Sequence, residues 1–168
     1  MEEAKTKILL YPYQLEIGAA ILESVRGFKG LTFSVEIARQ GGKNELSAHL
    51  EKGLLSASIN APVNLIKCSP TFIPQALISM QRLKDRLNEA DLWGTWEMEK
   101  GFIIKLGEAR AIFLSADKSA SVVGNTAHLL LEVDESQDVS KEKYTREFKP
   151  MGAAFNVTTV HYGTWTLA

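Results

Sequence analysis

The sequence predicts an α/β fold, a mainly parallel sheet flanked by helices, and three observations predict it. Apolar runs of strand length at 31–37, 61–68 and 129–134 alternate with longer stretches whose apolar residues recur at helical spacing. The run at 129–134 is close to continuous, as a strand buried on both faces is. Helices between consecutive strands supply the right-handed crossovers that a parallel sheet needs.

The elements follow in order. Pro12 begins a helix over 12–25, at a position where its missing N–H would have no partner in any case. Leu15, Ala19, Ile21 and Leu22 form its apolar stripe, and Gly27 ends it. Residues 31–37 are the first strand. Residues 43–55 read as a helix behind it, with Leu46, His49 or Leu50, and Leu54 facing inward. A second strand covers 61–68. Residues 72–88 form an amphipathic helix: Ile73, Ala76, Leu77, Met80, Leu83 and Leu87 recur on one side, while Arg82, Lys84, Asp85 and Arg86 fall mostly on the other. Two strand-like runs, 101–106 and 109–114, flank Gly107-Glu108 and predict a small β-hairpin insertion. Trp93 and Trp96 precede it and read as packing residues before base-stacking ones. Residues 139–148, with Lys141, Lys143 and Arg146 among Glu142 and Glu147, read as a solvated helix face that Lys149 continues. Residues 153–160 are the last strand.

Chemistry is concentrated at two strand ends. Ala38-Arg39-Gln40-Gly41-Gly42-Lys43-Asn44 lies between the first strand and a helix. A strand–loop–helix of this kind presents successive backbone N–H groups and a helix N-terminus to an anion, with Lys43 as a mobile positive charge. It departs from the usual G-x-x-x-x-G-K-S/T pattern at two places. Ile37 stands at the first glycine, and Asn44 at the Ser/Thr whose hydroxyl meets Mg²⁺. The second site is the run His128-Leu-Leu-Leu-Glu-Val-Asp134-Glu135. Ligands bind at the carboxyl ends of strands in open α/β sheets, so both acids are expected at the crevice rim. Asp134 suits a Mg²⁺ ion, held directly or through water. Glu135 suits orienting and deprotonating a water that attacks a terminal phosphate. Together these residues predict a P-loop site for ATP and Mg²⁺. Gln40, Gly41, Gly42, Lys43 and Asn44 would hold the nucleotide, Asn44 and Asp134 the metal, and Glu135 with Lys43 would act in catalysis. Arg39 is expected either at the γ-phosphate or in a surface ion pair. His49, His128 and His161 show no metal-ligand spacing.

In this order the residues resemble the N-terminal ATPase domain of a large terminase subunit, the motor that packages DNA into tailed-phage and herpesvirus-type capsids. Tyr11-Pro12-Tyr13-Gln14 resembles the family's adenine-recognising segment, and Ala38 to Lys43 its deviant phosphate loop. Ser69-Pro70-Thr71, with Gln75-Ala76 opening a helix, is similar to its next strand–helix unit. Leu129 to Glu135 resembles its apolar strand ending in Asp-Glu, and Thr158-Thr159 its coupling motif. The resemblance implies that Tyr13 and Gln14 lie near the adenine and that Thr159 senses the γ-phosphate. Gln14 reads equally as a polar residue at a helix N-terminus, and the threonine pair as simple strand formers.

For the fold, the resemblance implies a P-loop NTPase of the additional-strand type. The strand at 153–160 would lie between those at 129–134 and 31–37, giving a core order of 61–68, 129–134, 153–160, 31–37. It implies double-stranded DNA, a portal and a small terminase subunit as partners, a homo-oligomeric ring, and a place in the cytoplasm of an infected host cell at the viral procapsid. Members of the family continue with more strands and a nuclease domain. Residues 1–168 are therefore expected to be a single, truncated P-loop ATPase domain with 31–37 as an open sheet edge. Two alternatives stay open: a non-hydrolysing nucleotide-binding or assembly module, which Asn44 favours, and a helicase-like DNA-dependent ATPase fragment.

Composition narrows the remaining classes. A chain of 168 residues with 45% hydrophobic content is one domain able to bury a real core. A formal charge of −1, from 19 basic and 20 acidic residues, gives the whole domain no bias toward DNA, so any DNA contact must be local. Cys68 is the only cysteine; it cannot close an internal disulfide and is expected as a buried thiol in a cytosolic setting. No apolar run reaches the length of a membrane span, and Met-Glu-Glu-Ala-Lys lacks a signal-peptide pattern.

Overall fold

The structure is a computed structural model that describes residues 9–89, 92, 94–122 and 124–165. Its main helices are α1 (Pro12–Arg26), α2 (Lys43–Ala57) and α3 (Leu77–Leu87). Its strands are β1 (Thr32–Ala38), β2 (Asn64–Ser69), β3 (Trp96–Glu99), β4 (Ile103–Leu106), β5 (Ala109–Ser115), β6 (Leu130–Val133) and β7 (Thr158–Trp165). They form one sheet in the order β1-β7-β6-β2-β5-β4-β3. The pairs β1–β7, β7–β6, β6–β2 and β2–β5 are parallel, and β5–β4 and β4–β3 are antiparallel. The expected core order is therefore present, with β7 as the additional strand between β6 and β1.

Side-chain alternation along these strands sorts the core into two layers. Leu65, Leu130, Val160 and Tyr162 point to the face covered by α1, α2 and α3, where Ile21, Leu46, Leu54, Met80 and Leu83 meet them. Ile66, Cys68, Leu131 and Val133 point the other way, onto Val122, Phe148 and Met151. Burying one such side chain stabilises by about 1.5–3 kcal/mol, against at most about 1 kcal/mol for an exposed ion pair, so these layers hold the sheet. Burial pushes the Cys68 thiol up, which keeps it protonated and inert.

Several expectations need correction. The expected hairpin is present as β4 and β5, and β5 also pairs with β2 from Asn64↔Arg110 to Ser69↔Ser115, so the hairpin widens the main sheet. β3 adds a strand that the sequence reading did not anticipate. Trp96 lies on it and donates from Nε1 to Asn88 Oδ1 at 2.8 Å, while Trp93 lies outside the described residues. The helix expected over 72–88 starts properly at Leu77. Ile73 is extended (φ −108°, ψ 120°) and 74% exposed, because the ring of Pro74 disfavours a helical residue before it. Arg86 is buried and pairs with Glu89 at 2.7 Å, so it does not share the solvated side. On α2, Leu50 and not His49 faces the core; His49 Nδ1 meets the Glu45 carbonyl at 2.7 Å.

The largest correction concerns the last strand. Residues 141–155 form consecutive short helical turns, and β7 begins only at Thr158. Phe148 and Met151 are spaced three residues apart and both are buried, which suits a 3₁₀ turn and no strand. Gly152 packs so closely on Val157 that a Cβ there would lie 2.0 Å from its Cγ1. Asn156, at φ 48°, then reverses the chain into β7. Lys143 is also buried, donating to the Ala120 carbonyl and pairing with Glu147 at 2.8 Å, so the segment is only in part a solvated face.

β1 lies at a sheet edge and pairs with β7 alone among the described residues. Val35 and Ile37 are buried; Thr32, Ser34, Glu36 and Ala38 are exposed. Among the described residues no further strand lies beyond β1.

Candidate functional site

Three parallel strands deliver their carboxyl ends to one edge of the sheet. β1 ends at Ala38, β6 runs into Asp134 and Glu135, and β7 ends opposite β1 through the pairing Ala38↔Trp165. The loop after β1 folds tightly: Gly41 N–H donates to Ala38 O at 2.8 Å, and Gln40 takes φ 63°. Gly42 sits at the N-cap of α2 with φ 87°, where a Cβ would also fall 2.3 Å from Gln14 Nε2. Glycine is required there for both reasons. α2 then opens at Lys43 with its N-terminus facing the loop.

The Lys43 ammonium donates to Glu135 Oε1 at 2.6 Å and to the Thr164 hydroxyl. Thr164 Oγ1 lies 2.9 and 3.1 Å from the two Glu135 oxygens, and Gln137 Nε2 donates to Glu135 Oε2 at 2.6 Å. Glu135 holds this position with a left-handed backbone, φ 43°, and its own N–H is taken by Asp134 Oδ1 at 3.0 Å. A non-glycine residue in that region costs on the order of 1–3 kcal/mol and persists only where neighbours over-determine it. Partial burial pushes the Glu135 carboxyl up. Hydrogen bonds from Lys43, Gln137 and Thr164, with the Lys43 charge, outweigh it and hold the group below the usual carboxylate range.

These groups surround a cleft of about 770 Å³. It is lined by the loop from Arg39 to Asn44, by Glu135, Gln137 and Thr164, and by Glu45, Gln75, Arg82 and Asp138. Arg39 is exposed on the cleft and in no ion pair among the described residues. Asp134 is 5% exposed and sits behind Glu135, not on the cleft wall.

Beneath the cleft lies a buried polar cluster. Ser47 of α2 donates to Glu132 Oε2 at 2.7 Å, and Tyr162 of β7 donates to the same oxygen at 2.8 Å. Lys67 of β2 donates to Ser47 Oγ at 2.7 Å and pairs with Glu51 at 3.4 Å. Burial and then the Glu51 charge push the Glu132 carboxyl well up. Burial disfavours the Lys67 ammonium, but the charges of Glu51, Glu132 and Asp134 outweigh it and raise the group above its ordinary value.

The segment expected at the adenine does something else as well. Gln14 is 2% exposed: its Oε1 accepts from Tyr11 N–H at 2.7 Å, and its Nε2 donates to Gly42 O at 3.0 Å. It caps α1 and braces the loop, and it does not line the cleft. The Tyr13 hydroxyl donates to Gly41 O at 2.5 Å, and its exposed ring stacks on Tyr11 with centroids 5.8 Å apart.

Thr159 is not at this site. It pairs with Thr32 at the start of both strands, and Thr158 beside it bonds Ser24 Oγ at 2.8 Å. Five residues of strand at about 3.3 Å each put Thr159 about 16 Å from Thr164 along β7. Because β7 starts late, its carboxyl end is Gly163-Thr164-Trp165, and Thr164 occupies the place expected of Thr159. Gln137, Gln75 and Arg82 also escaped the sequence reading. Gln137 follows Glu135 by two residues and could have been flagged; Gln75 was read only as part of a strand–helix unit, and Arg82 carries no local motif.

The oxygens on hand suit a hard cation. Asn44 offers an amide oxygen on the cleft, and Asp134 a carboxylate behind it. No cluster of three His, Cys, Asp or Glu side chains able to hold a metal occurs among the described residues. His49, His128 and His161 make packing and backbone contacts: His128 lies against Phe155 at 4.6 Å and His161 against Tyr144 at 5.0 Å.

No protein-family model matches the sequence, and no curated protein matches it. Solved structures do. The ATPase domain of the large terminase from Thermus phage P74-26 superposes with a TM-score of 0.63 at 14% identity, over 82% of this chain and 61% of that one. A point mutant of that domain gives 0.70 at 15% identity, over 95% and 67%. The large terminase of bacteriophage HK97 gives 0.69 at 17% identity, over 95% of this chain and 34% of that one. This chain thus has the fold of a large-terminase ATPase domain and spans about a third of the length of the HK97 subunit.

Proposed function

We propose that this chain binds ATP with Mg²⁺ and hydrolyses it as the motor ATPase domain of a viral DNA-packaging terminase. The observation that carries the reading is the meeting of Lys43 and Glu135, 92 residues apart in sequence and 2.6 Å apart in space, at the N-terminus of α2. A cationic amide cradle facing an acid at a strand end is the arrangement that phosphoryl transfer uses. The fold shared with terminase ATPase domains supports the same reading.

The residues divide the work as follows. The loop N–H groups and Lys43 neutralise the β- and γ-phosphates. To do so Lys43 releases Glu135, and the freed carboxylate orients the attacking water and takes its proton. Asn44 directly and Asp134 through water would hold Mg²⁺, which supplies charge neutralisation between the phosphates. Thr164, hydrogen-bonded to both Lys43 and Glu135, reports loss of the γ-phosphate to β7. Arg39 reaches the γ-phosphate from the exposed start of the loop. The Tyr13 ring lies against the base beside the loop, and Gln14 acts behind it as a brace. By kinship of fold, the partners are double-stranded DNA, a portal, a small terminase subunit and further copies in a ring, at the procapsid in an infected cell. Among the described residues no helix is long and apolar enough to cross a membrane.

Asn44 favours a second reading, a nucleotide-binding module that does not hydrolyse. Mg²⁺-ATP turnover by the parent, Lys43→Ala and Glu135→Gln separates the two. For a hydrolase, Lys43→Ala loses binding and turnover, and Glu135→Gln keeps binding but loses turnover by about 10²-fold or more. Binding without turnover in the parent selects the second reading. Equal turnover in all three proteins rejects both.

A further inference from the structure

The geometry points to Arg82 as a detachable ligand for the terminal phosphate, parked on Glu45 until the nucleotide arrives. This rests on the nucleotide-site reading above and adds to it an arginine outside the phosphate loop. Arg82 projects from α3 onto the same cleft as Lys43, with its side chain 41% exposed. Its Nη1 lies 2.6 Å from Glu45 Oε1, in the first turn of α2. A guanidinium carries five donors in a planar fork, so one contact to Glu45 leaves most of them free for a phosphate. In that reading the loop amides and Lys43 neutralise the β- and γ-phosphates. Arg82 comes from a different element, α3, and is placed as an added cation on the terminal phosphate that Lys43 also contacts.

Detachment requires that Glu45 not be abandoned, since an unpaired buried carboxylate is costly. The structure holds a replacement. Arg86 Nε lies 3.7 Å from Glu45 Oε2, and both atoms are buried without a hydrogen-bond partner among the described residues. A small shift closes that gap when Arg82 leaves. Arg86 itself stays anchored through Glu89 at 2.7 Å. Lys43 shows a like pairing: it too rests on an acid of the cleft, Glu135.

Calorimetric titration with Mg²⁺ and a non-hydrolysable ATP analogue, then with ADP, tests this. Arg82→Ala is expected to weaken the analogue about tenfold, the scale of one charge-assisted hydrogen bond, and ADP by less than about twofold. Arg82→Lys falls between. Glu45→Gln is expected to tighten the analogue in the parent background and to do nothing in the Arg82→Ala background, because its effect acts through the released arginine. Equal weakening of both nucleotides overturns the terminal-phosphate assignment. An equal Glu45→Gln effect in both backgrounds overturns the parking contact. Unchanged affinity in Arg82→Ala, with binding lost in Lys43→Ala, overturns this inference and spares the nucleotide site. A parent that binds neither nucleotide overturns both.

Discussion

Lys43 and Glu135 neutralise each other across the cleft, and that pairing sets what each residue can do. The contact is partly buried, so the proposed binding of ATP requires stronger contacts of Lys43 to phosphate to offset its loss. Thr164 touches both partners, whereas Thr159 is walled off at the other end of β7. Thr164→Ala is therefore expected to lower kcat about tenfold, the scale of one lost hydrogen bond to a charged group. Thr159→Ala is expected to leave kcat and KM unchanged and to lower Tm only. Steady-state kinetics on both variants check this, and the opposite pattern would restore the coupling role to Thr159. At this scale, the sequence offered residues with motif chemistry: a glycine pair before lysine is a weak signal alone and gains weight from the adjacent acids after an apolar run. Thr164 was hidden because its place depends on where a coil ends, and that is decided by Phe148 and Met151 burying together.

Among the elements, α1 and the loop 39–44 are joined through Gln14. Gln14→Ala removes the partners of Tyr11 N–H and Gly42 O inside a packed site. It is expected to cost about 1–3 kcal/mol in denaturant unfolding and to raise KM for ATP. A KM change without a stability change would point instead to direct contact with the base. Beneath the loop, Glu132 joins α2, β6 and β7. Its folded state holds a proton more tightly than the unfolded chain does, because burial and Glu51 oppose its charge. From the ordinary carboxylate range up to its higher folded value, the native state binds the extra proton, so this group makes stability fall as pH rises. Glu135 has the opposite sign: held low, its contribution is present above the ordinary range and lost as pH falls through its folded value. Glu132→Gln, which copies the protonated shape, is expected to flatten the decline in stability that urea unfolding reads as pH rises above the ordinary carboxylate range. A slope unchanged from the parent would assign it to other groups. Helix and strand periods made α1, α2, β1, β2 and β6 readable. The turn at Ile73-Pro74, the strand at Trp96 and the coil at 149–155 were not, because proline geometry and long-range pairing override the local pattern.

Across the whole molecule, the strand order follows from parallel crossovers and from the extra strand that the resemblance implied. What the sequence could not show was that the hairpin would extend the same sheet. The choice between a free hairpin and a paired one lies in β2, about forty residues upstream, whose outer edge needs partners for its backbone groups. The result is a sheet broad at β3 and open at β1, with the site at the carboxyl ends of β1, β7 and β6.

A crystal structure of this chain with Mg²⁺ and a non-hydrolysable ATP analogue tests the central claim most directly. The account expects the triphosphate over the loop 39–44, the Lys43 ammonium moved off Glu135 and onto the phosphates, and Glu135 facing a water at the terminal phosphate. A nucleotide bound elsewhere, or one bound while Lys43 stays on Glu135, would contradict it.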